Sequence, residues 1–328
     1  MIPEADEILE RAHVVALPMA VRFRGITTRE ALLIDGPAGW GEFSPFIEYE
    51  PHEAAAWLRS GIESAFTGLP EASGAVEVNG TVPAVDAAEV EGVLARYPGV
   101  RTFKIKVAEK GQSLDDDLRR VAAVRELRPG AALRVDANRG WSVDEAVRAA
   151  DALGELEYIE QPCATVEELA EVRRRLRSSP SRAARTPIAA DESIRRAADP
   201  YRVAELAAAD VAVCKVAPLG GVGNLLRIAS DLKLDVTVAS ALDTAVGMDA
   251  GLVAAKLAGS RAAGLATQRL FVEDVAEPRE LVDGALPVTR TTPDPERLHA
   301  LRASGARRDW WFSRVRECLE VLETSLRG

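Results

Sequence analysis

From about Val76 onward, short apolar runs alternate with longer stretches of helical period. The runs AVEVNGTVPAV, RTFKIKV, ALRVDAN, LEYIEQP, PIAADES, DVAVCKV, DVTVAS and AGLAT read as strands, and most are rich in β-branched residues. The stretches between them read as helices with legible ends. SLDDDLRRVAAVRELRPG opens at Ser113 with acids in its first turn and stops at Pro129 and Gly130. SVDEAVRAADALG carries the capping-box pattern Ser-x-x-Glu from Ser142 and finishes at Gly154, and TVEELAEVRRRL repeats the pattern from Thr165. Strands alternating with helices argue for a parallel sheet. Eight such units predict an α/β fold with a closed (β/α)8 barrel over residues 76–276. An open doubly wound sheet competes, but no glycine-rich dinucleotide turn follows the first strand.

The two ends of the chain break this rhythm. VVALPMAVRFRGITTREALLIDGPAGWGEFSPF reads as antiparallel strands with tight glycine turns, and EPHEAAAWLRSGIESAFTG as a helix. Beyond about Glu277 a proline-rich stretch leads into a helix around DWWFSRVRECLEVLETSL. Residues 1–75 and 277–328 are therefore expected to build a small α+β capping domain beside the barrel. The segment from Leu17 to Gly25 is expected to close over the barrel mouth as a lid that excludes water.

Charge narrows the partners. The 328 residues carry a net charge of -10, which repels nucleic acid and anionic membrane surfaces. A small-molecule carboxylate substrate would then have to be met by locally placed cations. No stretch of about 20 apolar residues exists to span a membrane, and the acidic N-terminal segment lacks the apolar core of a signal peptide. Cys163, Cys214 and Cys318 are odd in number and lack metal-clip spacing, so they are expected as free buried thiols in a reducing compartment. These features predict a cytoplasmic protein and leave monomer or homo-oligomer open.

Ionisable residues stand at the C-terminal ends of successive strands. Lys104 and Lys106 end RTFKIKV, Asp136 ends ALRVDAN, Glu160 ends LEYIEQP, Asp191 and Glu192 end PIAADES, and Lys215 ends DVAVCKV. Each is about one strand–helix unit from the next, so all gather at the end of the barrel that carries active sites. Singly, each motif is ordinary: a strand-to-turn signature, a loop start, an edge strand or a helix cap. Five correctly typed groups in order are not. Asp136, Glu160 and Asp191 are hard oxygen donors suited to Mg²⁺, with Mn²⁺ as a substitute, and no histidine or cysteine joins them to suggest zinc. Lys104 and Lys106 are two apart and face the same side of their strand. Two ammonium groups beside a dication disfavour each other's protonation, one route to a lysine base. Lys215 approaches from the opposite side.

RTFKIKV, LRVDANRGWS, YIEQPCA, IAADES and VCKVAPLGG resemble the signature strands of the enolase superfamily, muconate-lactonizing subgroup, and GWGEFSPF is similar to a segment of its capping domain. The resemblance spans nearly the whole chain. It implies a carbon–oxygen lyase in which Asp136, Glu160 and Asp191 hold the metal, Lys106 takes the proton next to a carboxylate, and Lys215 steadies the enediolate from the other face. Lys104 and Asn138 would support them, with Arg134 and Ser240 as further supporting or substrate-binding positions. Within the subgroup, the nearest resemblance implies dehydration of a succinyl-bearing hydroxycyclohexadiene carboxylate to its aromatic product in menaquinone biosynthesis. Racemisation of N-succinyl or N-acyl amino acids, dipeptide epimerisation, muconate cycloisomerisation and a non-catalytic metal-containing barrel are the alternatives. Histidines offer no late-barrel base: His13, His52 and His299 all lie outside the barrel strands. AGLATQRLF, before Glu273, lacks the acidic pair of an ammonium-binding epimerase.

Overall fold

The computed structural model describes residues 2–23, 26–194 and 199–327. The N-terminal region holds α1 (Ala5–Glu10), an antiparallel sheet of β1 (Ala12–Phe23), β2 (Ile26–Gly36) and β3 (Gly39–Phe43), and α2 (Pro51–Ile62). The short strand β4 (Ala75–Glu77) precedes the barrel. Then β5 (Asn79–Val82), β6 (Thr102–Lys106), β7 (Ala132–Asp136), β8 (Tyr158–Glu160), β9 (Ile188–Ala190), β10 (Val211–Cys214) and β11 (Asp235–Val238) pair in sequence order as one parallel sheet. Helices α3 (Val90–Leu94), α4 (Leu114–Leu127), α5 (Val143–Leu153), α6 (Val166–Ser178), α7 (Asp199–Glu205), α8 (Val222–Leu232) and α9 (Gly247–Leu257) connect and follow them. β12 (Ala285–Pro287), α10 (Pro295–Ala300) and α11 (Gly305–Arg327) complete the chain.

The eighth strand is reduced to a rung. Ala263 N–H donates to the Glu77 carbonyl at 2.7 Å, and Asn79 N–H donates to the Ala263 carbonyl at 2.9 Å. On the other side Gly264 N–H donates to Val238 O at 2.8 Å, and Ser240 N–H to Gly264 O at 2.9 Å. Two residues bonded on both flanks join β5 to β11 and shut the curled sheet. AVEVNGTVPAV also departs from the single strand expected. β4 pairs antiparallel with β12, whereas β5 joins the barrel, and Val78 between them makes an isolated bridge to Ala263.

The helices end where their side chains dictate. Ser113, Ser142 and Thr165 each accept from the backbone three residues on, while Asp116, Glu145 and Glu168 return the bond, giving three complete capping boxes. Strand alternation sorts the barrel side chains. Phe103, Ile105, Leu133, Val135 and Ile159 pack outward against the helices. Tyr158, Ala189, Val211, Val213 and Ala239 fill the interior as a separate small cluster.

A second core joins the chain ends. Phe43 meets Trp311 of α11 edge-on at 5.5 Å, and Trp57 of α2 is buried with them. The C-terminal segment is shared between the two cores: Leu281 and Leu286 pack with the barrel, and Trp311, Val315 and Leu319 with the cap. The expected lid segment lies in the β1–β2 hairpin. Its Val272 N–H to Pro18 O bond and its Met19–Phe271 bridge tie the hairpin to the stretch after the eighth rung. Arg24 and Gly25, at its end, lie outside the described residues. The three cysteines are free and buried.

Carboxylates from the cap anchor it to the barrel. Glu42 of β3 accepts from Thr244 N–H at 3.0 Å, Thr244 Oγ1 at 2.6 Å and Gly247 N–H at 3.0 Å, at the start of α9. Glu63 accepts from Val222 and Gly223 N–H at 2.6 and 3.0 Å, at the start of α8. Each places a carboxylate on otherwise unbonded helix-terminal donors. Arg29 is buried between the units, donating to Leu242 O at 3.1 Å and to the Ser44 carbonyl, with its guanidinium 4.5 Å over Phe46.

Candidate active site

The charged residues read from the strand ends meet at the C-terminal mouth of the barrel. Asp136 and Glu160 are the last residues of β7 and β8, and Asp191 and Lys215 follow β9 and β10 directly. Lys104 and Lys106 share the inward face of β6. Lys104 Nζ lies 2.8 Å from Glu160 Oε1 and 3.1 Å from Asp136 Oδ2. Lys106 Nζ donates to Asp136 Oδ2 at 2.6 Å and to Asn138 Oδ1 at 2.5 Å. Lys215 Nζ reaches both Asp191 oxygens, at 2.8 and 2.7 Å. β6 and β10 are four strands apart in the sheet, so Lys106 and Lys215 enter the mouth from opposing sides.

Burial and pairing set the charges. Burial alone would raise the Asp136 carboxyl, but Lys106 and then Lys104 outweigh it and hold it well below the carboxylate range. Glu160 is pushed up to about 7, first by burial and then by the negative charge of Asp136. Burial would lower Lys104, yet Glu160 and Asp136 raise it well above the ordinary lysine value.

The donor set suits a hard dication: three carboxylates, with Glu160 Oε2 buried and lacking a hydrogen-bond partner. Among the described residues, no three such side chains converge closely enough to hold an ion as they stand. Each carboxylate instead pairs with a lysine: Asp136 with Lys104 and Lys106, Glu160 with Lys104, and Asp191 with Lys215.

The supporting positions divide. Asn138 joins the mouth: its N–H donates to Asp136 Oδ1 at 3.0 Å, and its side-chain amide reaches Glu192 at 3.4 Å. Ser240 follows β11, and its Oγ accepts from Asp243 N–H at 3.0 Å, shaping the turn into α9. Arg134 lies deeper. It is fully buried, stacks 4.7 Å over the Tyr158 ring, and donates to Glu157 at 2.7 Å, Asn79 at 3.1 Å and the Ala262 carbonyl at 2.6 Å. Those partners belong to the N-terminal half of the barrel, away from the mouth.

Three supports escaped the reading by strand ends. Asp117 and Arg120, buried on α4, clamp the turn that follows Lys106. Arg120 donates to the Lys106 carbonyl at 2.8 Å and to Asp117 at 2.9 Å, and Asp117 accepts from Ala108 N–H at 3.0 Å. The i,i+3 spacing on one helix face was their only signal. Gln161, next to Glu160, is fully buried and bonded to the loop after β9.

This layout has known counterparts. Residues 14–65 match the family described as Enolase N-terminal domain-like, and residues 86–295 match Enolase C-terminal domain-like. The chain belongs to the enolase superfamily. A relative from Mycolicibacterium smegmatis, named o-succinylbenzoate synthase, is 59% identical over 323 residues, covering 97% of this chain and 98% of its own. Another of that name, from Mycobacterium leprae, is 58% identical over 328 residues, covering 98% and 95%. The structure of a muconate lactonizing enzyme from Pseudomonas fluorescens, complexed with muconolactone, superposes with a TM-score of 0.73 at 25% identity, covering 89% of this chain and 98% of that one. Superfamily members of this kind are TIM barrels and generally depend on a divalent metal. The chain is an enzyme of the superfamily's lyase type that acts on a small molecule. Among the described residues, no helix is long and apolar enough to cross a membrane.

Proposed function

We propose that the chain is an o-succinylbenzoate synthase that removes water from a succinyl-bearing hydroxycyclohexadiene carboxylate, as a cytoplasmic step of menaquinone biosynthesis. The observation that supports it is the placement of Lys106 and Lys215 on opposing sides of a carboxylate-lined mouth, in a chain 59% identical to a protein of that name. Asp136, Glu160 and Asp191 would hold Mg²⁺, or Mn²⁺ in its place, which supplies positive charge to the substrate carboxylate. Lys106 takes the proton from the carbon beside the carboxylate. The released electron pair moves onto the carboxylate as an enediolate, and Lys215, as a fixed cation, stabilises that charge. The pair then returns to form the ring double bond as the neighbouring C–O bond breaks. The departing hydroxyl takes the proton back from Lys106 and leaves as water, and the ring is aromatic. Lys104, bound to Glu160 and Asp136, holds two of the carboxylates in place.

A second reading is racemisation of N-succinyl amino acids, which the opposed lysines also favour. The test is turnover of purified protein with the cyclohexadiene substrate and, separately, with N-succinyl amino acids. Aromatic product formed at a kcat/KM at least tenfold above racemisation is expected. Racemisation without dehydration would replace the first reading with the second.

A further inference from the structure

Gln161 follows the carboxylate of β8 and touches the loops that carry the other two. Its backbone carbonyl accepts from Arg139 N–H at 2.8 Å, in the loop after Asp136. Its side-chain Oε1 accepts from the N–H of Asp191 at 3.0 Å and of Ser193 at 3.2 Å. The amide Nε2 donates to the Cys163 carbonyl at 3.1 Å and to Ser193 Oγ at 2.9 Å, which fixes which end of the amide faces Asp191. The side chain is fully buried, and its backbone takes φ 39°, a left-handed conformation that a non-glycine residue adopts only when its surroundings enforce it. Ordinary loop-filling would not need an amide: an apolar side chain of the same volume occupies a buried site at less desolvation cost. Here the polar atoms join the backbones beside Asp136, Glu160 and Asp191 into one unit.

We propose that Gln161 is a positioning residue that sets the spacing of the three carboxylates, and so the affinity of the site for a divalent ion. Three ligands on three strands can share an ion only if their backbones keep a fixed separation, and buried hydrogen bonds between loops provide it. The inference rests on the metal-binding reading of Asp136, Glu160 and Asp191. The acceptor atom Oε1 carries the role, because it is the atom of Gln161 that bonds the Asp191 N–H.

Two variants separate acceptor from donor. Gln161→Met keeps the volume and removes both. Gln161→Glu keeps the acceptor: Ser193 Oγ can rotate to donate to the second oxygen, and only the bond to the Cys163 carbonyl is lost. Mn²⁺ affinity is measured by equilibrium titration of free Mn²⁺ with wild type, both variants and Asp191→Asn, with melting of the chelated protein as a fold control. Gln161→Met should bind Mn²⁺ at least tenfold more weakly, Gln161→Glu within about threefold of wild type, and kcat at saturating Mn²⁺ should recover more than kcat at low Mn²⁺. Wild-type affinity in Gln161→Met would overturn the proposal, as would equal weakening in both variants. If Asp191→Asn binds Mn²⁺ like wild type, the metal reading itself fails, and the two failures are distinct. Should Gln161→Met not fold, Gln161→Asn, which shortens the acceptor's reach, takes its place under the same criteria.

Discussion

At the residue scale, the lysines carry opposite assignments that a single substitution type can separate. Arginine keeps a cation but gives up a usable proton at neutral pH. Lys106→Arg should therefore lower dehydration by at least about a thousandfold, since the base is gone. Lys215→Arg should retain measurable dehydration while losing any exchange of the second face with D₂O solvent. Rates by product absorbance and exchange by NMR check both, and dehydration surviving in Lys106→Arg but not in Lys215→Arg would reverse the roles. These positions were legible because strand ends in a barrel point side chains at a common mouth. Gln161 was not. Its work is done by hydrogen bonds to loop backbones, which leave no periodic trace, and its left-handed φ follows from the packed neighbours rather than from local propensity. Arg134 shows the reverse limit: strand alternation places it inward, as it does Asp136, but cannot tell the mouth from the floor.

At the element scale, what was legible was whatever local chemistry decides. Ser142 and Thr165 close their capping boxes with the glutamates three residues on. What was hidden depended on distant partners. The eighth strand contracts to Ala263 and Gly264, and there a Cβ on Gly264 would lie only 3.1 Å from that of Ala239. The turn after β6 depends likewise on α4. Asp117 and Arg120 are both about 1% exposed and satisfy each other, the Lys106 carbonyl and the Ala108 N–H. Ala108, with φ 59°, needs that hold. Asp117→Ala leaves the buried Arg120 guanidinium without its counter-charge, which costs about 3–5 kcal/mol in comparable sites. The expected outcome in urea is a lowered midpoint together with a fall in kcat larger than the change in KM. An unchanged midpoint would mean that the clamp contributes nothing to stability.

At the scale of the whole molecule, the question is what keeps cap and barrel together. Glu42 answers it with a titratable group. Its carboxylate lies among Ser44, whose Oγ donates at 2.5 Å, the Thr244 and Gly247 donors of the barrel, Arg29 and Asp243. Burial first, and then the charge of Asp243, push its carboxyl from 4.5 up to about 7. The folded protein therefore keeps a proton on Glu42 through a range where the unfolded chain has released it. Between about pH 4.5 and 7 the folded state binds more protons, so this residue's contribution to stability falls as pH rises, and it levels off above 7. The substitution Glu42→Gln makes the neutral form permanent: the amide carbonyl can accept the Thr244 and Gly247 donors, and the amide nitrogen can donate to Ser44 Oγ. The variant should match wild type below about pH 4.5, exceed it increasingly up to about pH 7, and keep a constant margin above that. Every other titrating group is common to both proteins, so the difference between their urea midpoints in chelator isolates Glu42. A difference that stays constant from pH 5 to 8 would show that the junction carries an ordinary ionised carboxylate, and the cap would then be held by the charge of Glu42 on the α9 terminus rather than by its neutral hydrogen bonds.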